Sequence, residues 1–195
     1  MSDRADTDPP PRRRDSAATR RALLDAARVA FSESGYDNAG LRSIAHAAGA
    51  DARLIGRYFG SKEALFAAVL DEVYDMSPAL KPADIVDTAR ALLDDRKLPS
   101  LDGLLLTLRS ASSPIAVELM RGRMENDAQV RLAAALPGSY GDGRAALLIA
   151  ICAGVQLVRD VLGATALTDE STRDALSPYL EAALSAVAVG PAART

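Results

Sequence analysis

Arg53 and Arg57 stand four residues apart in one short segment, with Arg42 before them and Lys62 after them. Two guanidinium groups at that spacing share a helix face and repel each other unless something negative lies against them. Arginine carries a rigid fork of N–H donors that matches paired acceptors on a phosphate or on the edge of a guanine. The chemistry these residues offer is therefore recognition of a polyanion. Catalysis has little to work with. The chain holds one histidine, His46, and one cysteine, Cys152, far apart in sequence. There is no Gly-rich phosphate loop and no paired-carboxylate helix motif. No catalytic residue, no metal site and no cofactor is expected.

The elements that must hold those arginines are legible in residues 41–59. Leu41, Ile44, Ala45 and Ala48 recur at helical spacing and make one apolar face of about two turns. Gly49 follows where a helix end favours a residue that tolerates positive φ. Asp51 can cap the next helix by accepting backbone N–H bonds. In that second helix Leu54, Ile55 and Tyr58 turn inward, leaving Arg53 and Arg57 on another face. Two short helices joined by a tight turn can arise in any helical protein. The same pattern also describes a helix-turn-helix that lays its second helix in a DNA major groove.

The flanking residues extend the pattern. From Thr19 to Leu70 the chain resembles the DNA-binding domain of the tetracycline-repressor (TetR) family of bacterial transcriptional regulators. The matching residues include Leu24, Ala27, Phe31, Gly35, Tyr36, Leu41, Ile44, Gly49, Tyr58, Phe59, Ser61, Lys62 and Glu63. The resemblance implies a dimeric, all-helical repressor controlled by a small molecule. It also implies DNA contacts at Arg42, Ala52, Arg53, Gly56, Arg57, Tyr58 and Lys62, with Tyr58 and Lys62 nearer the backbone. Two positions depart from the family pattern. Gly56 stands where a tyrosine is usual, and Gly40 where a threonine or serine usually caps the helix. Gly40 keeps only a weaker backbone version of that role.

Charge is distributed to match. Residues 12–62 hold ten basic and five acidic residues, a balance of +5, within a chain of net charge −3. The remainder is acidic, at −8. Hydrophobic residues make up 49% and charged residues 25%, an ordinary soluble balance. Residues 1–15 are polar and proline-rich and read as a disordered arm. Arg12, Arg13 and Arg14 there are either part of a solvated tail or extra phosphate and minor-groove contacts. The arm has no apolar signal core, and the apolar run near 145–167 is interrupted by Gln156, Arg159 and Asp160. No membrane span is expected, and a cytoplasmic protein follows.

The periodicities give an all-α chain of about nine helices with no strand pattern. A helix-turn-helix domain is expected over 16–62, a ligand-binding and dimerisation domain over 63–189, and a loose end over 190–195. Ser16 is expected to cap the first helix, which Gly35 ends, and Gly60 or Ser61 the fourth. Pro78 and Pro82 mark a break, and Ser113-Pro114 opens a helix running to about Leu136. Residues 137–143 form a break. A helix over 144–166, apolar nearly all round, should be buried, with Cys152 as a core thiol. Thr168 or Ser171 is expected to cap the last helix, ending near Val189.

Dimer formation is assigned to the last two helices. Leu147, Leu148, Ile151, Val155, Leu162, Leu176, Leu180, Leu184 and Val187 offer more apolar surface than a small body needs to bury. Candidate contacts for an unidentified small-molecule effector are the polar side chains that interrupt apolar stretches: Arg109, Glu118, Arg121, Gln156 and Arg159. Met120 and Met124 are candidates for adaptable pocket lining. Arg159 is either a ligand contact or half of an ion pair, internal with Glu118 or at the surface with Asp160. Three competing readings stand beside the ligand-released repressor. They are an activator or ligand-independent regulator, a helical interaction protein without DNA binding, and an enzyme on a helical body.

Overall fold

The structure is a computed structural model that describes residues 11–75, 85–93 and 101–190. The arm over 1–10, the side chains of Arg12, Arg13 and Arg14, the break through Pro78 and Pro82, Ser100 and the tail 191–195 lie outside the described residues. Within them every regular element is helical: α1 (Pro11–Asn38), α2 (Leu41–Ala47), α3 (Arg53–Phe59), α4 (Lys62–Asp75), α5 (Ile85–Leu93), α6 (Leu101–Ser110) and α7 (Pro114–Arg123). α8 (Gln129–Ala135), α9 (Gly141–Gln156), α10 (Thr165–Thr168) and α11 (Glu170–Val189) complete the fold. Single π-helical turns at Met124–Ala128 and Leu157–Val161 extend α7 and α9. The segments outnumber the nine expected helices because breaks fall inside helices that read as continuous.

Two of the expected ends sit elsewhere. α1 begins at Pro11 instead of Ser16, while Gly35 (φ 73°, ψ 173°) breaks it where expected, leaving a separate last turn to Asn38. The last helix is capped by Asp169, not Thr168 or Ser171. Its carboxylate accepts from Thr172 N at 3.0 Å, and Ser171 and Thr172 donate their hydroxyls to it. An ionised carboxylate at a helix N-terminus is a better acceptor than a hydroxyl and gains from the helix dipole. The expected caps at Ser61 and Ser113 are present, accepting from Ala64 N and Ala116 N.

The core forms two clusters. The first collects Leu23, Ala27 and Phe31 of α1, Ile44 of α2, Ile55 of α3, and Leu65, Phe66 and Val69 of α4. It continues without a break into Leu106 of α6 and Ala116 and Met120 of α7. No gap in packing accompanies residue 62. Phe66 sits at its centre, edge-on to Phe31 at 4.9 Å and to Tyr36 at 5.0 Å between ring centroids. Such pairs add about 1 kcal/mol each beyond buried area. The second cluster joins Leu92 of α5, Leu132 of α8, Leu148 of α9 and Leu184 of α11.

Backbone capture by arginines ties the segments together. Arg144, at the start of α9, is buried, and its guanidinium donates to the carbonyls of Pro137, Ser139, Val187 and Ala188. It fastens the 137–143 break to the end of α11, where helix carbonyls lack partners. Between α1 and α6, Ser110 Oγ accepts from Tyr36 N at 3.0 Å, and Arg109 donates to the Ser32 carbonyl. There α1 and α6 meet so closely that a Cβ on Gly35 would overlap the Arg109 carbonyl.

Gly35→Ala meets both that overlap and the left-handed backbone, which alone costs about 1–2 kcal/mol for a residue with a Cβ. The variant is expected to lose at least about 2 kcal/mol of unfolding free energy in urea titration. A midpoint equal to that of the parent would show that the α1–α6 approach is not tight.

Candidate nucleic-acid interface

Residues 41–60 fold as the spacing predicts. Ile44 and Ala45 of α2 and Ile55 of α3 are buried, while Leu41, Leu54 and Tyr58 pack partly against them. Gly49 takes φ 63° and carries the chain round the turn. Asp51 Oδ1 accepts from Arg53 N at 2.8 Å and starts α3. α2 begins at Gly40 with no side-chain cap, and the Gly40 carbonyl accepts from Ile44 N at 3.0 Å.

This scaffold turns the predicted DNA-contact residues outward to different degrees. Arg42, Arg53, Gly56 and Arg57 are exposed, and Ala52 and Tyr58 are half-buried. The Arg53 side chain is 94% exposed. Its one acidic neighbour, Asp51, lies at 4.0 Å and is itself 62% exposed. A pair so open to water is worth little and leaves the guanidinium available. A Cβ on Gly56 would meet nothing within 4 Å. The glycine therefore opens the outer face of α3 without serving its packing.

Lys62 is used differently. It is half-buried, donates to the Asp37 carbonyl at 3.3 Å and lies 4.7 Å from the centroid of the Tyr36 ring. It clamps the start of α4 to the end of α1, which limits how freely it reaches a phosphate. Beside it, Tyr36 Oη donates to Glu63 Oε1 at 3.0 Å. Burial first, then that bond and the charges of Glu63 and Asp37, push the phenol up to about 12. Glu63 is held below the usual carboxylate range by its own backbone N–H first, then by Ser61 and Tyr36.

The candidate ligand contacts do not converge. Arg109 is spent on the Ser32 carbonyl. Glu118 and Arg121 pair with each other on the exposed face of α7. Gln156 is half-buried at the end of α9. Arg159 is buried and forms the ion pair with Asp160, an exposed residue: Nε meets Asp160 Oδ1 at 2.5 Å, and Nη1 donates to the Leu92 carbonyl at 2.6 Å. Met120 belongs to the first core cluster. None of these lines the cleft of about 490 Å³ between α5 and α11, which Arg90, Leu93, Glu170, Arg173, Ser177 and Glu181 border. Sequence reasoning missed this cleft because its lining is ordinary polar helix surface until α5 and α11 meet.

The residues expected at a dimer interface differ in exposure, with Leu176 half-buried. Leu148 and Leu184 are fully buried within the protomer, with Ile151, Val155, Leu180 and Val187 against them. Leu147 and Leu162 remain 55% and 69% exposed, and they are joined by Tyr179 at 75% and Val189 at 71%. α9, expected to be buried all round, thus keeps one face open. Cys152 is only partly exposed, and burial raises its thiol to about 11. No helix of the described residues is long and apolar enough to cross a membrane.

The profile of bacterial regulatory proteins, tetR family, matches residues 23–69, and that of the tetracyclin repressor-like C-terminal domain matches residues 86–187. The HTH-type transcriptional repressor AcnR of Corynebacterium efficiens is 32% identical over 78 residues, which are 40% of this chain and 42% of that protein. The HTH-type transcriptional repressor NicS of Pseudomonas putida is 36% identical over 77 residues, 38% of this chain and 36% of that one. The chain thus spans about two fifths of the length of these curated relatives. A transcriptional regulator from Rhodococcus sp. Rha1 shares the fold at a TM-score of 0.57, covering 88% of this chain and 99% of that one with 22% identity.

The raised Tyr36 phenol has a consequence for stability. An unfolded tyrosine ionises near 10 and this one near 12. Its contribution is therefore complete below pH 10 and is lost as pH rises toward 12. Tyr36→Phe is expected to flatten that alkaline part of the melting-temperature profile. A profile of unchanged slope would show that folding does not raise the phenol.

Proposed function

The chain belongs to the TetR family of bacterial regulatory proteins, and from that premise we propose that it is a homodimeric DNA-binding repressor released from its operator by a small-molecule effector. The observation that carries the reading is the outer face of α3. Arg53 and Arg57 project from it into solvent, while Ile55 on the opposite face is anchored in the core. Among the described residues Arg57 and Arg42 have no carboxylate partner. A cationic face so mounted suits the edges of bases in a major groove, with Arg42 on α2 and Lys62 on α4 toward the phosphates. Ala52, Gly56 and Tyr58 complete the contact surface. The protein acts where the chromosome is, in the cytoplasm, and has no enzymatic role.

Two heads must reach successive major grooves about 34–36 Å apart. The exposed apolar stripes of α9 and α11 support a dimer that spaces them. Leu147, Val158 and Leu162 on one helix and Tyr179 and Val189 on the other leave a wide apolar surface in water, and α9 lies against α11. Pairing two such layers makes a four-helix interface. An effector that binds the body best when the heads sit at another separation lowers operator affinity by its differential affinity for the two states. Of the candidate effector contacts Gln156 stays proposed, since Arg109, Glu118, Arg121 and Arg159 are engaged with other groups of the chain.

Gel-shift titration with the DNA upstream of the protein's own gene tests the reading. Arg53→Ala and Arg57→Ala are each expected to weaken binding by about 1–3 kcal/mol. The absence of any shift by the parent protein at low salt would overturn the function. In sedimentation velocity the parent should run as a dimer, and Leu162→Glu should shift it toward monomer and weaken operator binding in parallel. A monomeric parent that still binds the operator tightly would overturn the dimer.

A further inference from the structure

Arg20 lies on α1, outside the helix-turn-helix, yet it is held against the end of α3. Its guanidinium carbon sits 4.8 Å from the centroid of the Phe59 ring, and Phe59 is the last residue of α3. The neighbouring Arg21 is committed elsewhere. It pairs with Asp25 at 2.9 Å and with Glu72 at 2.6 Å. No carboxylate among the described residues pairs with Arg20, which is exposed. A guanidinium stacked over a ring is held by its flat face, and the N–H groups on its edge stay free to donate. The arrangement immobilises a long side chain in advance while consuming none of its hydrogen-bonding capacity.

The position of that edge follows from dimensions. α3 has seven residues, which at the α-helical rise make about 10 Å. In a helix-turn-helix the N-terminal residues of the second helix contact the base edges, and its C-terminal end lies toward the backbone. The last turn of so short a helix is therefore where the chain leaves the bases for the flanking phosphates. Phe59 is in that last turn, two residues before Ser61, which caps α4. The group that sits on Phe59 is therefore carried to those phosphates.

We infer that Arg20 is a phosphate-binding residue of the DNA interface, supplied by α1 and preset by the Phe59 ring, flanking the base-reading face of α3. The inference rests on the DNA-binding reading above. A purely structural role is the competing account, since a cation near the C-terminal end of α3 also complements the helix dipole. The two roles separate in their salt dependence. Each phosphate neutralised contributes a slope of about 0.9 to the plot of log affinity against log salt, whereas a dipole contact within the protein contributes none.

The test is fluorescence anisotropy with the full chain, using a labelled duplex from its own upstream region and a second duplex of scrambled sequence, across a series of KCl concentrations. Arg20→Gln is expected to weaken binding on the order of tenfold at low salt, the size of one charged hydrogen bond. It should lower the salt slope by about 0.9 per bound head, hence about 1.8 for the dimer, on both duplexes equally, because a phosphate contact reads no sequence. Arg20→Lys should restore most of the slope, and the melting temperature of both variants should match the parent. An unchanged slope overturns the inference, whether or not the variant melts earlier. A loss confined to the upstream duplex also overturns it, since that would mark a base contact. If the parent binds neither duplex, the DNA-binding reading itself falls. If Arg53→Ala weakens binding and Arg20→Gln does not, only the present inference falls.

Discussion

Burial of one apolar core that runs from the helix-turn-helix into the body is the constraint on which the rest depends. α2 and α3 have seven residues each, too short to hold helical form in water from propensity alone. They persist because Ile44, Ile55 and their neighbours are inserted beside Phe31, Tyr36 and Phe66. That cluster is completed by Leu106 and Met120, which come from much later in the chain. The head therefore does not end where its motif ends. Its orientation is set by α6 and α7, with Gly35 pressed against the Arg109 carbonyl and Tyr36 N bonded to Ser110.

The same packing sorts the arginines into two populations. Arg144 and Arg159 are buried and Arg109 is turned inward, and all three donate to backbone carbonyls at helix ends or kinks. A buried guanidinium is tolerated only where such acceptors surround it. Arg42, Arg53 and Arg57 sit on the opposite side of that division, exposed and with no strong partner among the described residues. The first population holds the scaffold rigid. The second is what the rigid scaffold presents.

In the body, the division is between apolar residues. α9 and α11 each carry more of them than one protomer buries. Leu148 and Leu184 close the protomer's own second cluster, and the faces bearing Leu147, Leu162 and Tyr179 stay open. Exposed apolar side chains gathered on a helix face are of the kind that mark a contact surface.

Local pattern was enough for everything governed by neighbours a few residues apart. The periodicity of Leu41, Ile44 and Ala45, the positive φ at Gly49, the Asp51 start of α3 and the outward arginines are all set within one or two turns of chain, so they could be read from residue order. The composition likewise carried the all-helical fold and the basic block. Residues whose partners lie far along the chain could not be read that way. The capture of α11 by Arg144, the pairing of Arg159 with Leu92 of α5, the Lys62 clamp on Asp37 and the stacking of Arg20 on Phe59 join positions between 25 and 67 residues apart. Which of two chemically identical guanidinium groups is buried and which faces solvent depends on the acceptors that folding brings to it, and no spacing in the primary chain encodes that meeting.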